Sequence, residues 1–159
     1  MRLLLIAALT LLPSSVSAQT LWRNVDAGMF YSRVLEAQPG AEGDPRARSL
    51  RYEGAERFGT CTADVVVNFD NRKVSHVEVY SQHWGALGLM MAMEECGSDA
   101  RAILVRRHGR PDSASDGSNA SGEFRMDRWT RDGVEIEFKR YGSDLAAQWS
   151  ITYRPVARP

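Results

Sequence analysis

Apolar and polar residues alternate strictly along much of the chain's second half. Val134, Ile136 and Phe138 alternate with Glu135, Glu137 and Lys139, and Ala147, Trp149, Ile151 and Tyr153 alternate with Gln148, Ser150 and Thr152. Successive side chains of a strand point to opposite faces, so each run predicts a strand with one buried and one wet face. Phe124 to Thr130 precedes them, and Asp132-Gly133 and Gly142-Ser143-Asp144 supply the turns of a three-stranded antiparallel meander. The same period appears earlier. Ala63, Val65, Val67 and Phe69 alternate with Asp64, Val66, Asn68 and Asp70, and a turn at residues 70–73 leads into Val74 to Ser81. This second pattern predicts a β-hairpin whose inward row continues through Val77 and Val79, with His76, Glu78 and Tyr80 on the other face.

Between these runs the period lengthens. Phe30, Val34 and Leu35 lie at helical spacing in a segment ended by Pro39-Gly40. The polar, Arg-rich stretch through Gly54 reads as loop, with an irregular strand near Ser49 to Tyr52. Residues 83–96 carry Trp84, Ala86, Leu87, Leu89, Met90, Met91 and Met93, apolar nearly all round, and predict a buried helix ended by Gly97. Ser98 then caps a third helix containing Ala102 to Val105, which Gly109 and Pro111 stop, and the Ser, Asp, Gly and Asn cluster from Asp112 to Gly122 reads as a surface loop. A shift of 69 positions places Val34 on Ile103, Leu35 on Leu104, Gly40 on Gly109, Val65 on Val134, Val67 on Ile136 and Phe69 on Phe138. The expected fold is therefore α+β: an antiparallel sheet from two helix-plus-strands repeats, residues 26–81 and 98–155, with helices mainly on one face and the apolar helix between the halves.

The first eighteen residues belong to a different pattern. Met1-Arg2, an apolar run from Leu3 to Leu12, Pro13 and small residues at Val16-Ser17-Ala18 form a signal peptide with cleavage after Ala18. The apolar run is too short to span a bilayer, which takes about 20 residues. Removing 18 of 159 residues leaves 141, a single domain over residues 19–159. The chain has 20 basic and 20 acidic residues, and loss of Arg2 makes the balance 19 − 20 = −1, which excludes bulk attraction to nucleic acid. In an exported chain the two cysteines, Cys61 and Cys96, read as a disulfide, and closing such a loop stabilises by roughly 3 to 4 kcal/mol. The expected location is the bacterial periplasm, with no membrane anchor after cleavage.

Tandem halves of this kind in a small exported chain resemble the β-lactamase inhibitor protein architecture and the related small lipoprotein of the outer-membrane β-barrel assembly machinery. The Asp26-Ala27-Gly28-Met29 opening that leads to Val34-Leu35 is similar to that lipoprotein group's helix start. The resemblance implies an order of elements over residues 24–154 and no particular function. Two features depart from it: no lipid-anchor Cys follows the apolar run, and an extra apolar helix with Cys96 separates the halves.

Candidate chemistry is sparse. No nucleophile elbow, zincin or phosphate-loop motif is present, so no cofactor is expected and an enzyme ranks last among three functions; it would need His76 and Glu78 to converge with an unidentified nucleophile. His76, His83 and His108 share no helical turn. Met90 and Met93, one turn apart with His83 upstream, give a weak copper pattern of soft ligands, the basis of a small-molecule or metal-binding alternative. Arg106, Arg107 and Arg110 cluster at a helix end, where cations complement the helix dipole and an acidic partner or anionic ligand would find a patch. Tyr80 lies off the inward row and Trp129 falls out of parity with Phe124 and Met126, so an exposed aromatic on the sheet is expected as a binding hot spot. The leading expectation is a protein-interaction module that meets an as yet unidentified periplasmic protein through this face.

Overall fold

The computed structural model describes residues 19–43, 48–81, 87–119, 122–142 and 147–157, with the side chains of 87–94 and 119 left aside. Residues 1–18, expected as a signal peptide, and His83 lie outside the described residues. The dominant element is one antiparallel sheet of seven strands: β3 (Ser49–Phe58), β4 (Cys61–Asp70), β5 (Lys73–Tyr80), β6 (Ser113–Asn119), β7 (Gly122–Arg131), β8 (Val134–Gly142) and β9 (Ala147–Pro155). Its spatial order is β3-β4-β5-β9-β8-β7-β6. A short hairpin, β1 (Thr20–Trp22) and β2 (Val25–Asp26), and two helices, α1 (Tyr31–Ala37) and α2 (Leu87–His108), complete the described elements.

The alternation registers as predicted in the two hairpin systems. Val65 faces Val79 and Val67 faces Val77 across β4 and β5, and Ile136 faces Tyr153 and Phe138 faces Ile151 across β8 and β9. Both tight turns place two residues in the left-handed region, Asn71 and Arg72 in one and Asp132 and Gly133 in the other. That is the twist a two-residue connection needs to match its strands. The two systems join where β5 pairs with β9, setting Val77 against Tyr153 and Val79 against Ile151.

The expected α+β pair of helix-plus-strands repeats is not what forms. The described residues are predominantly β, with two helices among them rather than three, and these do not head two equivalent halves. The first, α1, has seven residues and buries only Val34. The segments 83–96 and 98–109, expected as two helices, meet in one: from Leu87, where the description resumes, to His108 the chain forms α2, which runs through Gly97 and Ser98 without a break. Gly97 is placed there by close packing: a Cβ on it would sit 3.2 Å from Cδ1 of Trp149 and 3.4 Å from Cδ of Arg140. Missing side-chain volume, rather than a left-handed stop, explains this glycine. The expected loop at 112–122 contains the edge strand β6, and the irregular strand near Ser49 extends to Phe58 around a bulge in which Glu53, Gly54 and Ala55 oppose Asp64 alone.

The core lies on one face of the sheet. Leu50, Val65, Val67, Val77, Ile151, Phe138 and Trp129 are fully enclosed there with Val34 of α1, Val25 of β2 and Ala100 and Leu104 of α2. The disulfide Cys61–Cys96, with Cα atoms 5.8 Å apart, ties the first residue of β4 to the middle of α2. Beside it Phe58 meets Trp149 edge-on at 5.2 Å. Among the described residues no helix is long and apolar enough to cross a membrane.

Candidate functional site

Strand parity divides the sheet into two unlike surfaces. The side carrying Trp129, Phe138, Ile151, Val77 and Val67 is roofed by α2, α1 and the β1–β2 hairpin. The opposite side carries the other parity: Val66, Glu78, Thr152, Glu137 and Arg128 stand opposite one another on successive strands, and so do Asp64, Tyr80, Ser150, Lys139 and Met126. Among the described residues no helix or hairpin packs over this face, and most of its side chains are half-buried or exposed.

At its centre lies Glu137, only 3% exposed yet on the wet side of β8. Neighbouring strands explain the enclosure. Arg128 on β7 donates Nε to Oε2 at 2.7 Å, Lys139 two residues along β8 places Nζ 2.7 Å from Oε1, and Arg154 on β9 approaches Oε1 at 3.7 Å. Burial pushes the Glu137 carboxyl up, but hydrogen bonds from Lys139 and Arg128, and their charges, outweigh it and leave the pKa below the ordinary 4.5. One carboxylate thus orders three cationic side chains, each about half exposed. A second anchor is Asp64, whose Oδ2 lies 2.7 Å from Nη2 of Arg51 and whose Oδ1 accepts the Gly54 N–H at 2.9 Å. Charge pairing across strands had no local signature except the Glu137 to Lys139 spacing, which puts both on one face of β8.

The singled-out aromatics fall on different sides. Tyr80 is half-buried on the open face, between Asp64 and Ser150. Trp129 is not an exposed hot spot: it is fully buried under the end of α2, where its Nε1–H donates to the Gly109 carbonyl at 2.9 Å. Its parity partner in the core is Asp127, not an apolar residue, and so Phe124 and Met126 occupy the open side instead. Asp127 is fully buried because Arg101 of α2 and Arg125 of its own strand both ion-pair with it.

Arg106, Arg107 and Arg110 are exposed at the end of α2, and among the described residues none of them forms an ion pair. They do not cap the helix. Arg131 does, donating Nε to the His108 carbonyl at 2.9 Å and Nη2 to the Arg110 carbonyl at 3.2 Å, while its Nη1 holds Asp112. Met90 and Met93 lie in α2 with side chains outside the description, so the copper pattern is not placed. Among the described residues no three His, Cys, Asp or Glu side chains converge on a metal-sized site. His76 and Glu78 sit 3.9 Å apart on the open face, and the Ser75 hydroxyl is hydrogen-bonded to the imidazole Nδ1 at 3.0 Å.

No family model, curated protein or solved structure matches this chain.

Proposed function

We infer that the chain is a soluble, exported periplasmic protein-interaction module without catalytic activity, and that the uncovered sheet face is its binding surface. The observation that carries this reading is the contrast between the two sides of one sheet: one is roofed, the other presents ordered charge around Glu137 beside Tyr80, Met126 and Phe124. Protein interfaces use such a mixture, an aromatic or apolar anchor with pre-ordered arginines nearby, because side chains already fixed lose little entropy on association. The signal-peptide pattern and the disulfide support the export half of the reading.

The experiment is affinity capture from periplasmic extract with wild type, Tyr80→Ala, Ser150→Arg and Arg106→Glu. The face variants should lose a partner that wild type and the Arg106→Glu control both retain, with unchanged circular dichroism. Face variants that capture everything wild type captures would sink the proposal.

A further inference from the structure

The two edges of the sheet are treated differently. On β3 part of the outward backbone is already taken: Arg51 exchanges N–H and C=O hydrogen bonds with Glu42 at 3.0 and 2.8 Å, and the Ala55 carbonyl accepts from the Arg23 guanidinium. The bulge at Glu53 to Ala55 bends the rest of that edge. Strand β6 carries no such protection among the described residues. It pairs with β7 over seven consecutive residues without a bulge, and Ser113 to Ser118 are all exposed. Its start is pinned: Asp112 donates its N–H to the Arg128 carbonyl at 2.8 Å and accepts from Thr130 N and Arg131. Natural edges are usually blunted by Lys, Pro or bulges, and this one has none of them.

We propose that β6 is a self-association edge, pairing antiparallel about a two-fold axis through Gly117 with the β6 of a second copy. The choice of occupant follows from side-chain size. A foreign strand added to an edge gains specificity from pockets for its alternate side chains. Strand β6 offers only Ser, Ala, Asp and Gly side chains over its exposed length, which form no pockets, whereas another β6 needs none.

The register follows from charge and from Phe124. A two-fold axis normal to the sheet keeps each face on its own side, so the axis must pass through a residue. Centring on Asp116 would oppose two carboxylates, which is unfavourable for directly facing residues. Centring on Gly117 sets Asp116 opposite the partner's Ser118. It also exploits a close approach already present: a Cβ on Gly117 would lie 3.0 Å from Cε1 and Cζ of Phe124, so that ring covers Gly117 at the edge. Phe124 is 38% exposed, one of few large apolar side chains left so. In the Gly117-centred pairing the two rings stand over adjacent strands, about 4.8 Å apart and within stacking range, and each covers the other.

Sedimentation velocity on the purified, disulfide-intact protein from micromolar to hundreds of micromolar concentration should show the mass doubling. Ser118→Asp places like charges opposite one another twice in the dimer and should raise its dissociation constant roughly tenfold, while Ser118→Lys, facing the partner's Asp116, should lower it by a similar factor. Ser118 is exposed, and circular dichroism should show both variants folded. A monomer throughout the range overturns the proposal, as does a dimer whose affinity ignores both substitutions.

Discussion

A buried aspartate on a strand carries more consequence than any of the residues that first drew attention. Asp127 has no exposed surface, and its charge is tolerated because Arg101 and Arg125 reach it with guanidinium groups that stay about one-third exposed. Hydrogen bonds to charged groups contribute about 1.5 to 3 kcal/mol each, and a charge left alone in the interior costs more. Because both arginines can turn to solvent, Asp127→Ala should cost about 2 to 3 kcal/mol, at the lower end for a broken buried pair. Chemical denaturation of the variant against wild type measures this, and a loss below the error of extrapolation would show that the pair is not formed. The same residue explains why Trp129 misleads in the sequence. Parity in β7 is legible only if the apolar residues mark the inner face, and in Gly122–Arg131 a carboxylate takes an inner position while Phe124 and Met126 take outer ones. Of its two partners, Arg125 stands two residues away on the same strand, but Arg101 lies 26 residues away in α2, and nothing local announces that contact.

Among the elements, those whose stability comes from a half-buried surface could be read directly. The strands β4, β5, β8 and β9 have alternation that burial on one side requires, and their registers follow from it. The elements that were not legible are those shaped by a single distant contact. Strand β6 has the composition of a loop because neither of its faces is buried, and only backbone pairing with β7 keeps it extended. Gly97-Ser98 carries a stop-and-cap signature, yet the helix continues because the bare glycine lets α2 approach Trp149. Gly97→Val should therefore destabilise by about 1 to 3 kcal/mol, since Trp149 is itself held against Phe58 and cannot yield. Thermal unfolding checks this: a variant as stable as wild type would mean that Gly97 serves no packing role. In α1, a helix of seven residues cannot stand on propensity and is held by Val34 and by Tyr52, whose hydroxyl donates to the Gln38 carbonyl at 3.0 Å.

For the whole molecule, the titratable groups weaken the fold at both ends of the pH scale, and the acid limb begins nearer neutrality. Burial, with Arg107 and Arg131 nearby, pushes His108 below its ordinary 6.5, so the unfolded chain binds that proton more readily than the folded one. Its contribution is complete above pH 6.5 and is lost as pH falls through the window beneath it. Glu137 is also depressed, from 4.5, and adds a second loss as pH falls below that value. Urea midpoints should stay level from neutrality to about pH 9 and decline from about pH 6.5 downward, with His108→Gln removing the first part of the decline and leaving the second; they should fall again above about pH 10, where the unfolded chain ionises while burial holds the Tyr153 phenol up at about 12. A midpoint that rises on mild acidification would contradict the assigned direction. The unequal edges bear on a different property of the molecule, its valency. A sheet able to add a strand at both sides is a monomer of a fibre, because every addition presents a fresh edge. With Arg51 and Ala55 of β3 held by Glu42 and Arg23 and the rest of that edge bent by its bulge, β6 is the open edge among the described residues, and in the proposed pairing a partner of the same kind consumes it while bringing none of its own. In that pairing growth stops at the first encounter, so an exposed edge that would be an aggregation hazard in a symmetric sheet is self-terminating.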